Sequence, residues 1–391
     1  IATNIEIKMN DSIERNFDVI IYESSSFGGC FEYSKRLHPA YQNHPKVRSS
    51  ILMLPKNSRF RWSGVLNNLI SDKIDSSKNW LKKLHFIYRN LFNPLLLFWF
   101  LLFRNSSIII LNDFEQLTAP IWVPLYKLFL GKHKFAVVLH DPDRDNYPPS
   151  KSYSEYCMGL MMGIMDLGLY HETLPNKKYY EKSQRTSYLS IPHGLYPKAD
   201  NDDVVLSLLE NLKADYTYLA ILGNIREEKN YHLAIEALTL LPHYKLIIAG
   251  SPSNSSVLVD VFKQKIRQLG LEEKVIWIDK FLSDNELSSV ICASDIILLN
   301  YARTFTSQSG VINLIAPYYK KFIYSNVPSG LSSIAKQFKL GLMVEPDNKD
   351  SLVQGIETIN EMEVDRSAWD NYSAYASWEN HVNYVLANIK V

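Results

Sequence analysis

The feature that most constrains the fold is a repeated alternation of short apolar runs with helix-period stretches. The runs are continuous rather than alternating, and glycine or polar residues follow most of them. Strands of this kind are covered on both faces, as in the parallel sheets of α/β proteins. The first half has such predicted strands at Asp18–Ser24, Ser107–Asp113, Lys134–Asp141 and Ser187–Gly194, and the second at Thr217–Asn224, Tyr244–Gly250, Lys274–Asp279, Ser294–Tyr301, Lys320–Asn326 and Gly341–Pro346.

Two sets of strands predict two doubly wound parallel-sheet domains of the Rossmann-like α/β class. The 391 residues are enough for two domains of ordinary size. The polar, acidic stretch 197–203 gives the boundary, which divides 1–198 from a second domain that starts at 204. Because ligands of such sheets bind at the carboxyl ends of strands, we expect the domains to face a central cleft.

Composition narrows the choice of partners. The chain has 42 Lys+Arg and 41 Asp+Glu, a balance that does not indicate nucleic-acid binding. Cys30, Cys157 and Cys292 are far apart and odd in number, which argues against a disulfide framework and fits a reducing compartment. The most apolar stretch, Pro94–Phe103, is about half the roughly 20 residues that span a bilayer. We expect a cytoplasmic protein, either soluble or peripheral at the inner face of the membrane.

A pair of cations follows the first strand of the second domain, in the stretch Leu222–Asn230. Arg226 and Lys229 are three residues apart, so they would project on one side of a loop-to-helix turn. Arginine binds phosphate oxygens with two parallel hydrogen bonds and lysine acts as a point charge, so the pair could hold a diphosphate. The alternative is a solvent-exposed helix start in which Glu227 and Glu228 pair with both cations.

The stretch Ser307–Asn313 is a polar loop that turns into an apolar helix. Gly310 allows a ligand to approach the backbone closely. The N–H groups of Gly310 and Val311, with the hydroxyl of Ser309, could receive one phosphate at this helix start. The alternative is that Ser309 simply caps the helix, which is common.

The first strand is followed by a glycine-containing turn with Gly28 and Gly29. It resembles phosphate-binding loops but lacks the pattern GxGxxG, so it does not support dinucleotide binding. The alternative is a tight strand-to-helix turn without a ligand.

Two histidines end strands of the first half, His140 and His193. A single histidine in such a position is more often structural than catalytic. His140 is the better candidate for a functional group, because the polar sequence DPDRD that follows it is typical of a loop at a cleft.

A basic and aromatic segment, Lys78–Arg104, contains no acidic residue. One interpretation is an interfacial segment that touches anionic lipid. The other is a buried helix with a basic outer face. We favour lipid contact for the first part and burial for Leu95–Phe103. The cations of the first part are Lys78, Lys82, Lys83 and Arg89.

The order of these motifs resembles that of the retaining glycosyltransferases of GT-B fold in family four, the group 1 transferases. The motifs that carry the resemblance are Gly28-Gly29, His140-Asp141-Pro142, Ile191-Pro192-His193-Gly194 and Gly223–Lys229. Later blocks are similar to the family as well, at Lys245–Pro252, Val275–Tyr301 and Gly341–Ile356. The resemblance covers nearly the whole chain.

The resemblance implies an acceptor-side domain at 1–198, a nucleotide-sugar-binding domain at 204–372, and a last helix within 373–391 that crosses back to the first domain. A nucleotide-sugar donor would be the co-substrate and a glycan or lipid-linked saccharide the acceptor. No cofactor and no metal are implied, since Arg and Lys can stabilise the leaving diphosphate instead. Retention of the anomeric configuration is implied by the family.

The resemblance also implies roles for single residues. Arg226 and Lys229 would hold the diphosphate, and His140 would hydrogen-bond the donor sugar. The other expected donor-binding residues are Gly28, Gly29, Gly223, Ser307, Ser309, Gly310 and Val311.

One departure from the family pattern concerns two glutamates that members often carry with the spacing E-x7-E. Here Ser307 and Ile315 occupy these positions. The first normally addresses the donor sugar and the second the ribose, so donor identity stays open. Two other functions are alternatives: a catalytically silent relative that binds a glycan or partner, and a nucleotide-sugar epimerase, which usually needs a carboxylate pair in the cleft.

Overall fold

The computed structural model describes residues 17–145, 149–181, 183–210, 215–252, 259–305 and 308–389. These residues form two compact units. The first contains the described residues of 17–170, 174–191 and 378–389, and the second contains those of 171–173 and 192–377. The limits 1–198, 204–372 and 373–391 stay predictions of domain extent.

The first unit is built on a seven-stranded parallel sheet in the order β3-β2-β1-β4-β5-β6-β7. Its central strands are the predicted apolar runs, and their side chains are buried on both faces. The strands are β1 Phe17–Tyr22, β2 Val47–Pro55, β3 Val65–Leu69, β4 Ile108–Leu111, β5 Lys134–Leu139, β6 Leu167–Tyr170 and β7 Ser187–Ser190. The helices are α1 Gly29–Asn43, α2 Asn79–Leu102, α3 Ala119–Tyr126, α4 Lys151–Met162 and α5 Lys178–Glu181.

The second unit has a six-stranded parallel sheet in the order β10-β9-β8-β11-β12-β13. The strands are β8 Thr217–Leu222, β9 Tyr244–Ala249, β10 Val275–Ile278, β11 Ile296–Leu299, β12 Lys321–Ser325 and β13 Leu342–Val344. The helices are α6 Asp203–Glu210, α7 Tyr231–Ala237, α8 Val259–Gln268, α9 Asp284–Ala293, α10 Gly310–Ile315, α11 Gly330–Phe338, α12 Lys349–Glu361 and α13 Arg366–Tyr375. The predicted fold class, two doubly wound α/β domains, is confirmed.

The last helix, α14 at Trp378–Asn388, packs in the first unit. Val382 and Val385 are fully buried in the same apolar cluster as Leu37 of α1. The hydroxyl of Tyr33 in α1 lies 3.1 Å from a ring nitrogen of His381. The C-terminal helix therefore completes the core of the unit that begins the chain.

The strand order changes direction between β1 and β4 in the first sheet and between β8 and β11 in the second. At such a switch point the loops leave in opposite directions and open a crevice outside the carboxyl ends of the strands. Residues that follow these four strands are therefore the first candidates for ligand contact in each unit.

Candidate functional site

In the second unit, the cations predicted to bind phosphate lie on the turn that follows β8. Gly223 ends the strand with a φ of 83°, a value that favours glycine. A 3₁₀ turn, Glu227–Lys229, follows, and Asn230 closes it with a φ of 58°. Arg226 is exposed and Lys229 is partly buried. The Lys229 ammonium donates a hydrogen bond to the carbonyl of Leu222.

The positive charge of the Lys229 ammonium is poorly compensated by the groups around it. Burial, together with the positive charge of Arg226, lowers the pKa of Lys229 to about 7. A Cβ placed on Gly223 would lie 3.3 Å from the Lys229 nitrogen, so glycine leaves room beside it. Within the described residues, no ion pair joins either cation to Glu227 or Glu228. Two close cations without a carboxylate partner form a place where an anion would be stabilised.

Polar contacts fix the shape of this turn. The Asn230 side chain donates to Asp347 over 2.9 Å, and Asp347 also accepts from the backbone N–H of Arg303 over 3.1 Å. The backbone N–H of Ala302 donates to the carbonyl of Glu228 over 2.8 Å. The turn after β8 is thereby tied to the loop after β11, the other strand at the switch point.

The predicted phosphate seat at the start of α10 lies in the same unit. Ser309 is 3 % exposed, and its hydroxyl accepts a 3.3 Å hydrogen bond from the N–H of Val311. The Tyr301 hydroxyl lies 2.8 Å from that of Ser309, and the positive charge of Arg226 acts to lower the Tyr301 pKa, although burial raises it to about 12. Gly310 is exposed, and a Cβ there would meet nothing within 4 Å. The structure thus contains the capping by Ser309 that was the alternative to a phosphate site, and the phosphate-binding role of Ser309, Gly310 and Val311 stays a prediction. Tyr301 links this helix start to the field of Arg226.

Of the two positions at which this chain lacks the family's glutamates, the structure describes one. Ser307 lies outside the described residues. Ile315 is fully buried in the apolar core of the second unit, among residues such as Ile312 and Phe322. A side chain in that environment makes packing contacts only, in agreement with the expectation that Ile315 cannot bind a ribose.

In the first unit, Gly28 and Gly29 form the turn between β1 and α1. Gly28 has a φ of 86° and occupies the N-cap position of the helix, where its conformation favours glycine. A Cβ on either glycine would meet nothing within 4 Å. The two residues therefore give an open strand-to-helix turn, and their donor-binding role stays a prediction.

His140 follows β5 and is held by a chain of hydrogen bonds. Its Nε2 lies 2.9 Å from the Oδ1 of Asn112, and the Asn112 amide donates to the Glu23 carboxylate over 2.6 Å and to the Cys30 carbonyl over 2.9 Å. Since the amide nitrogen serves as donor to both, the amide oxygen accepts, and Nε2 of His140 carries a proton. The ring of Tyr33 packs edge-on to His140 at 4.6 Å between centroids. The imidazole is thus fixed in both tautomer and orientation.

Three carboxylates cluster at the ends of β1 and β4, a feature that the sequence analysis did not single out. Glu23 is fully buried and Glu115 is 4 % exposed, and burial together with the negative charge of Asp113 raises the pKa of each to about 8. Asp113 accepts from the hydroxyls of Ser24 at 2.7 Å and Ser25 at 3.2 Å. The cluster is visible in the sequence only as polar residues that follow two apolar runs.

The acidic pattern Asp143-Arg144-Asp145 belongs to a loop, as the sequence analysis assigned it. Lys177 lies 2.7 Å from Asp143 and 3.1 Å from Asp145, and Lys151 lies 3.3 Å from Asp145. The lysines neutralise both carboxylates. Among the described residues, no group of three or more His, Cys, Asp or Glu side chains has the arrangement of a metal site.

The basic and aromatic segment forms α2, and the structure corrects the expectation of burial for Leu95–Phe103. Leu97 and Leu101 are buried, whereas Trp99 is 60 % and Phe103 is 84 % exposed. The helix packs on the core by one side only, so its outer side keeps apolar residues along the whole length. The side chains of Lys78, Lys82 and Lys83 are exposed and that of Arg89 is partly buried. In the described part of the chain, no helix is both long and apolar enough to cross a bilayer.

Comparison with known proteins agrees with this architecture. Residues 210–375 match the family model of glycosyl transferases group 1. Structures with the same fold include Alr3699/HepE of Anabaena, which was crystallised with UDP and glucose. It has a TM-score of 0.67 and 14% identity, with 96% of this chain and 100% of that chain covered. At this identity the likeness shows the fold alone.

Two further relatives are specific transferases. An alpha,alpha-trehalose-phosphate synthase (UDP-forming) from Burkholderia vietnamiensis has a TM-score of 0.68 and 11% identity, with 95% of this chain and 99% of that chain covered. An N-acetylgalactosamine-N,N'-diacetylbacillosaminyl-diphospho-undecaprenol 4-alpha-N-acetylgalactosaminyltransferase from Campylobacter jejuni is 27% identical over 178 residues. That match spans 45% of this chain and 46% of the relative, which is less than half of either.

Proposed function

We propose that this chain is a retaining, metal-independent glycosyltransferase that moves a sugar from a nucleotide diphosphate donor to a lipid-linked saccharide. The observation that carries the proposal is the pair of uncompensated cations, Arg226 and Lys229, at the switch point of a unit that matches the group 1 family model. The electrostatic demand of the reaction matches this pair. Cleavage of the sugar–phosphate bond places negative charge on the diphosphate, and fixed cations stabilise such a leaving group.

The bond changes are as follows. The bond between the anomeric carbon and the β-phosphate oxygen breaks, and the acceptor oxygen forms a bond to the same face of that carbon. The acceptor proton passes to the departing phosphate oxygen, so the donor itself serves as base. In this scheme Arg226 and Lys229 stay charged throughout, and the backbone at Gly223 and Gly310 lies beside the phosphates.

His140 is assigned to the donor sugar. Its imidazole is held by Asn112, and through Asn112 by the buried Glu23, so that it can hydrogen-bond a hydroxyl without reorganising first. Gly28 and Gly29 would border both the acceptor and the donor phosphate, because their turn is open on the side where a side chain would otherwise project.

The proposal of a lipid-linked acceptor rests on the Campylobacter relative, whose name describes a diphospho-undecaprenol acceptor. Such an acceptor lies in a membrane, so the proposal places the chain at a membrane surface as a peripheral protein. The cations Lys78, Lys82, Lys83 and Arg89 are the proposed contacts with anionic lipid.

The first test is a thermal-shift panel of UDP-, GDP-, ADP- and dTDP-sugars with the purified chain. A ligand that binds the native state raises the melting temperature by mass action. The stabilising donor is then incubated with a diphospho-polyprenol saccharide, and the product is analysed by mass and anomeric configuration. We expect one nucleotide class to bind and its sugar to be transferred with retention.

The control is the double variant Arg226→Ala with Lys229→Ala, which should lose both the thermal shift and the transfer. An exposed pair of unit-two cations, Arg267 and Lys339, changed to Ala in the same way, should keep both. If the first variant binds the donor as the wild type does, the assigned diphosphate site is wrong. Donor binding without turnover on any acceptor or water would favour the silent relative, for which buried Ile315 is the supporting observation.

A further inference from the structure

The outer side of α2 is apolar along its full length. The helix has 24 residues, about 36 Å at 1.5 Å per residue. Most of its exposed apolar side chains recur every three or four residues, the spacing of one helix face, and Phe86, which is 48 % exposed, lies off that face. The members of this stripe, with exposed fractions from 37 to 60 %, are Trp80, Leu84, Ile87, Tyr88, Phe92, Leu96, Trp99 and Leu102.

A separate side of the same helix packs on the first unit. Its buried residues are Asn90, Asn93, Pro94, Leu97 and Leu101. At about 100° per residue these five fall within roughly 100° of one another, and the exposed stripe occupies the half-turn outside them. The side chain of Asn93 accepts from the N–H of Ile70 over 2.8 Å, which fixes the rotation of the helix on the sheet. The apolar stripe therefore faces outward because of the packing, and its exposure is not due to loose attachment.

Charge is arranged along the same helix. From Lys78 to Arg104 the sequence contains five cations and no carboxylate. By the same 100° step, Lys78, Lys82 and Arg89 fall together at one edge of the apolar stripe. Phe103, directly after the helix, is 84 % exposed. The arrangement is thus an apolar face with aromatic rings and a cationic edge.

We propose that this face, defined as Trp80 to Phe103 on the outer side of α2, is the surface by which the chain docks on an anionic lipid bilayer. The helix would lie in the plane of the interface, with its apolar side chains below the headgroups and its cations beside the lipid phosphates. Tryptophan, tyrosine and phenylalanine suit this position, because each has a large apolar area, and the rings of tryptophan and tyrosine are enriched at headgroup depth. The proposal deepens the proposed function, since it assigns the membrane contact to the whole helix, including the half that the sequence analysis expected to be buried.

A second copy of the chain fits this face less well. In an antiparallel two-fold pair, the same edge of each helix faces its own copy. The stretch from Lys78 to Arg104 contains no carboxylate, so a second copy of this helix would offer the cationic edge no opposite charge. An anionic bilayer presents both an apolar interior and negative charge, so it complements both parts of the surface.

The experiment is co-sedimentation of the full chain with two kinds of vesicle. One contains phosphatidylcholine alone, and the other also contains about 30 mol % phosphatidylglycerol, a fraction on the order of the usual content of anionic lipid in a membrane. We expect binding to the anionic vesicles that weakens as salt is added, because the cations contribute through screened attraction. Trp99→Ser with Phe103→Ser should lower the partition coefficient at least about tenfold. Lys78→Glu with Lys82→Glu, a change of two cations at the edge of the stripe, should lower it by about tenfold or more on anionic vesicles only.

Matched controls come from the second unit. Phe281 is 70 % exposed, so Phe281→Ser removes an exposed aromatic ring elsewhere. Arg267→Glu with Lys339→Glu reverses the same number of charges as the Lys78 and Lys82 variant. Both controls should bind vesicles as the wild type does.

The outcomes are distinct. If the wild type ignores anionic vesicles, or if the α2 variants bind as well as their controls, the docking proposal is wrong. If the aromatic variant instead turns a wild-type dimer into a monomer in light scattering, the face is a self-association surface and the proposal is overturned. Thermal shift with the nucleotide sugar, measured without lipid, should be the same in all these variants. If the nucleotide sugar causes no thermal shift in the wild type, the proposed function is contradicted, while the docking result stays valid.

Discussion

The carboxyl ends of the two sheets have similar topology and opposite electrostatics. In the first unit, the switch point collects Glu23, Asp113 and Glu115, with hydroxyl and amide donors around them. In the second, it collects Arg226 and Lys229, with a glycine beside them and no carboxylate paired to either within the described residues. The same fold thus provides one end suited to neutral hydroxyl groups and one suited to a diphosphate.

The difference shows that the topology fixes where a ligand can bind but not what is bound. A diphosphate placed at the end of the first sheet would meet the negative charge of Asp113 and two buried acids, Glu23 and Glu115, that hold their protons at neutral pH. The second unit has two cations whose mutual repulsion an anion relieves. The assignment of the donor to the second unit therefore rests on side chains after β8 and not on the likeness of the folds. Variants can test each side of this contrast.

The largest expected effect is on turnover in the second unit. Lys229→Ala and Arg226→Ala should each lower the rate of sugar transfer by about 100- to 1,000-fold, because each removes a charge that stabilises the leaving group. Initial rates at saturating donor measure this. Arg267→Ala, a change of an exposed cation in α8, should leave the rate unchanged. Equal rates for Lys229→Ala and Arg267→Ala would show that the charge of Lys229 does not stabilise the leaving group, and would contradict the contrast drawn between the two units.

A second test uses the buried acid of the first unit. The pKa of Glu115 is raised from its usual value near 4.5 to about 8, so between these values the folded chain holds a proton that the unfolded chain releases. Stability from this group is complete below about pH 4.5 and is lost as the pH rises to 8, at about 1.4 kcal/mol of unfolding free energy per pH unit. Glu115→Gln should remove this part of the slope and leave the part that comes from Glu23, whose pKa is also raised to about 8, whereas the exposed Glu228→Gln should keep both.

Urea denaturation of the wild type and both variants from pH 5 to pH 8 measures the slope. A signal from the first unit is needed, such as fluorescence of Trp122, which is buried beside Glu115 and donates to its carbonyl over 3.0 Å. Equal pH dependence in the wild type and Glu115→Gln would show that this carboxyl ionises at its ordinary pKa.

The smallest effect concerns His140. His140→Ala should lower transfer roughly tenfold, the equivalent of one hydrogen bond to the sugar, without changing affinity for the free nucleoside diphosphate. Asn112→Ala should reproduce the loss, because Asn112 orients the imidazole. In the double variant the two losses should not add, since both act through one contact. Fully additive losses would show that Asn112 acts independently of His140.

The sequence predicted most of the architecture because the strands are continuous apolar runs. It did not predict β2, β3 and β6. The edge strand β3 contains two asparagines, Asn67 and Asn68, and all but its last residue are partly exposed. The four-residue β6 includes Gly168 and has no β-branched residue. Such strands form because a neighbouring strand offers hydrogen bonds, and this information is not local.

The sequence predicted those residues of the candidate site that belong to one short motif. It did not predict the residues that are brought together by contacts between distant parts of the chain. Gly223, Arg226 and Lys229 share one turn, so spacing was enough to find them. The link from Glu23 through Asn112 to His140 joins three strand ends that are far apart in sequence, with a separation of 89 between the numbers of the first two residues. The lowered pKa of Lys229 likewise depends on burial within the folded unit. These properties arise from the order of strands in the sheets.

The most direct test of the central claim is the pH dependence of donor affinity in calorimetry. A nucleotide sugar has no terminal phosphate that titrates between pH 6.5 and 9, whereas Lys229, with a pKa of about 7, loses its charge in this range unless an anion holds it. The account predicts that wild-type affinity weakens above pH 7, by at most about tenfold per pH unit, and that Lys229→Ala binds more weakly with no such slope. An equal affinity and an equal slope in Lys229→Ala would contradict the placement of the diphosphate beside Lys229.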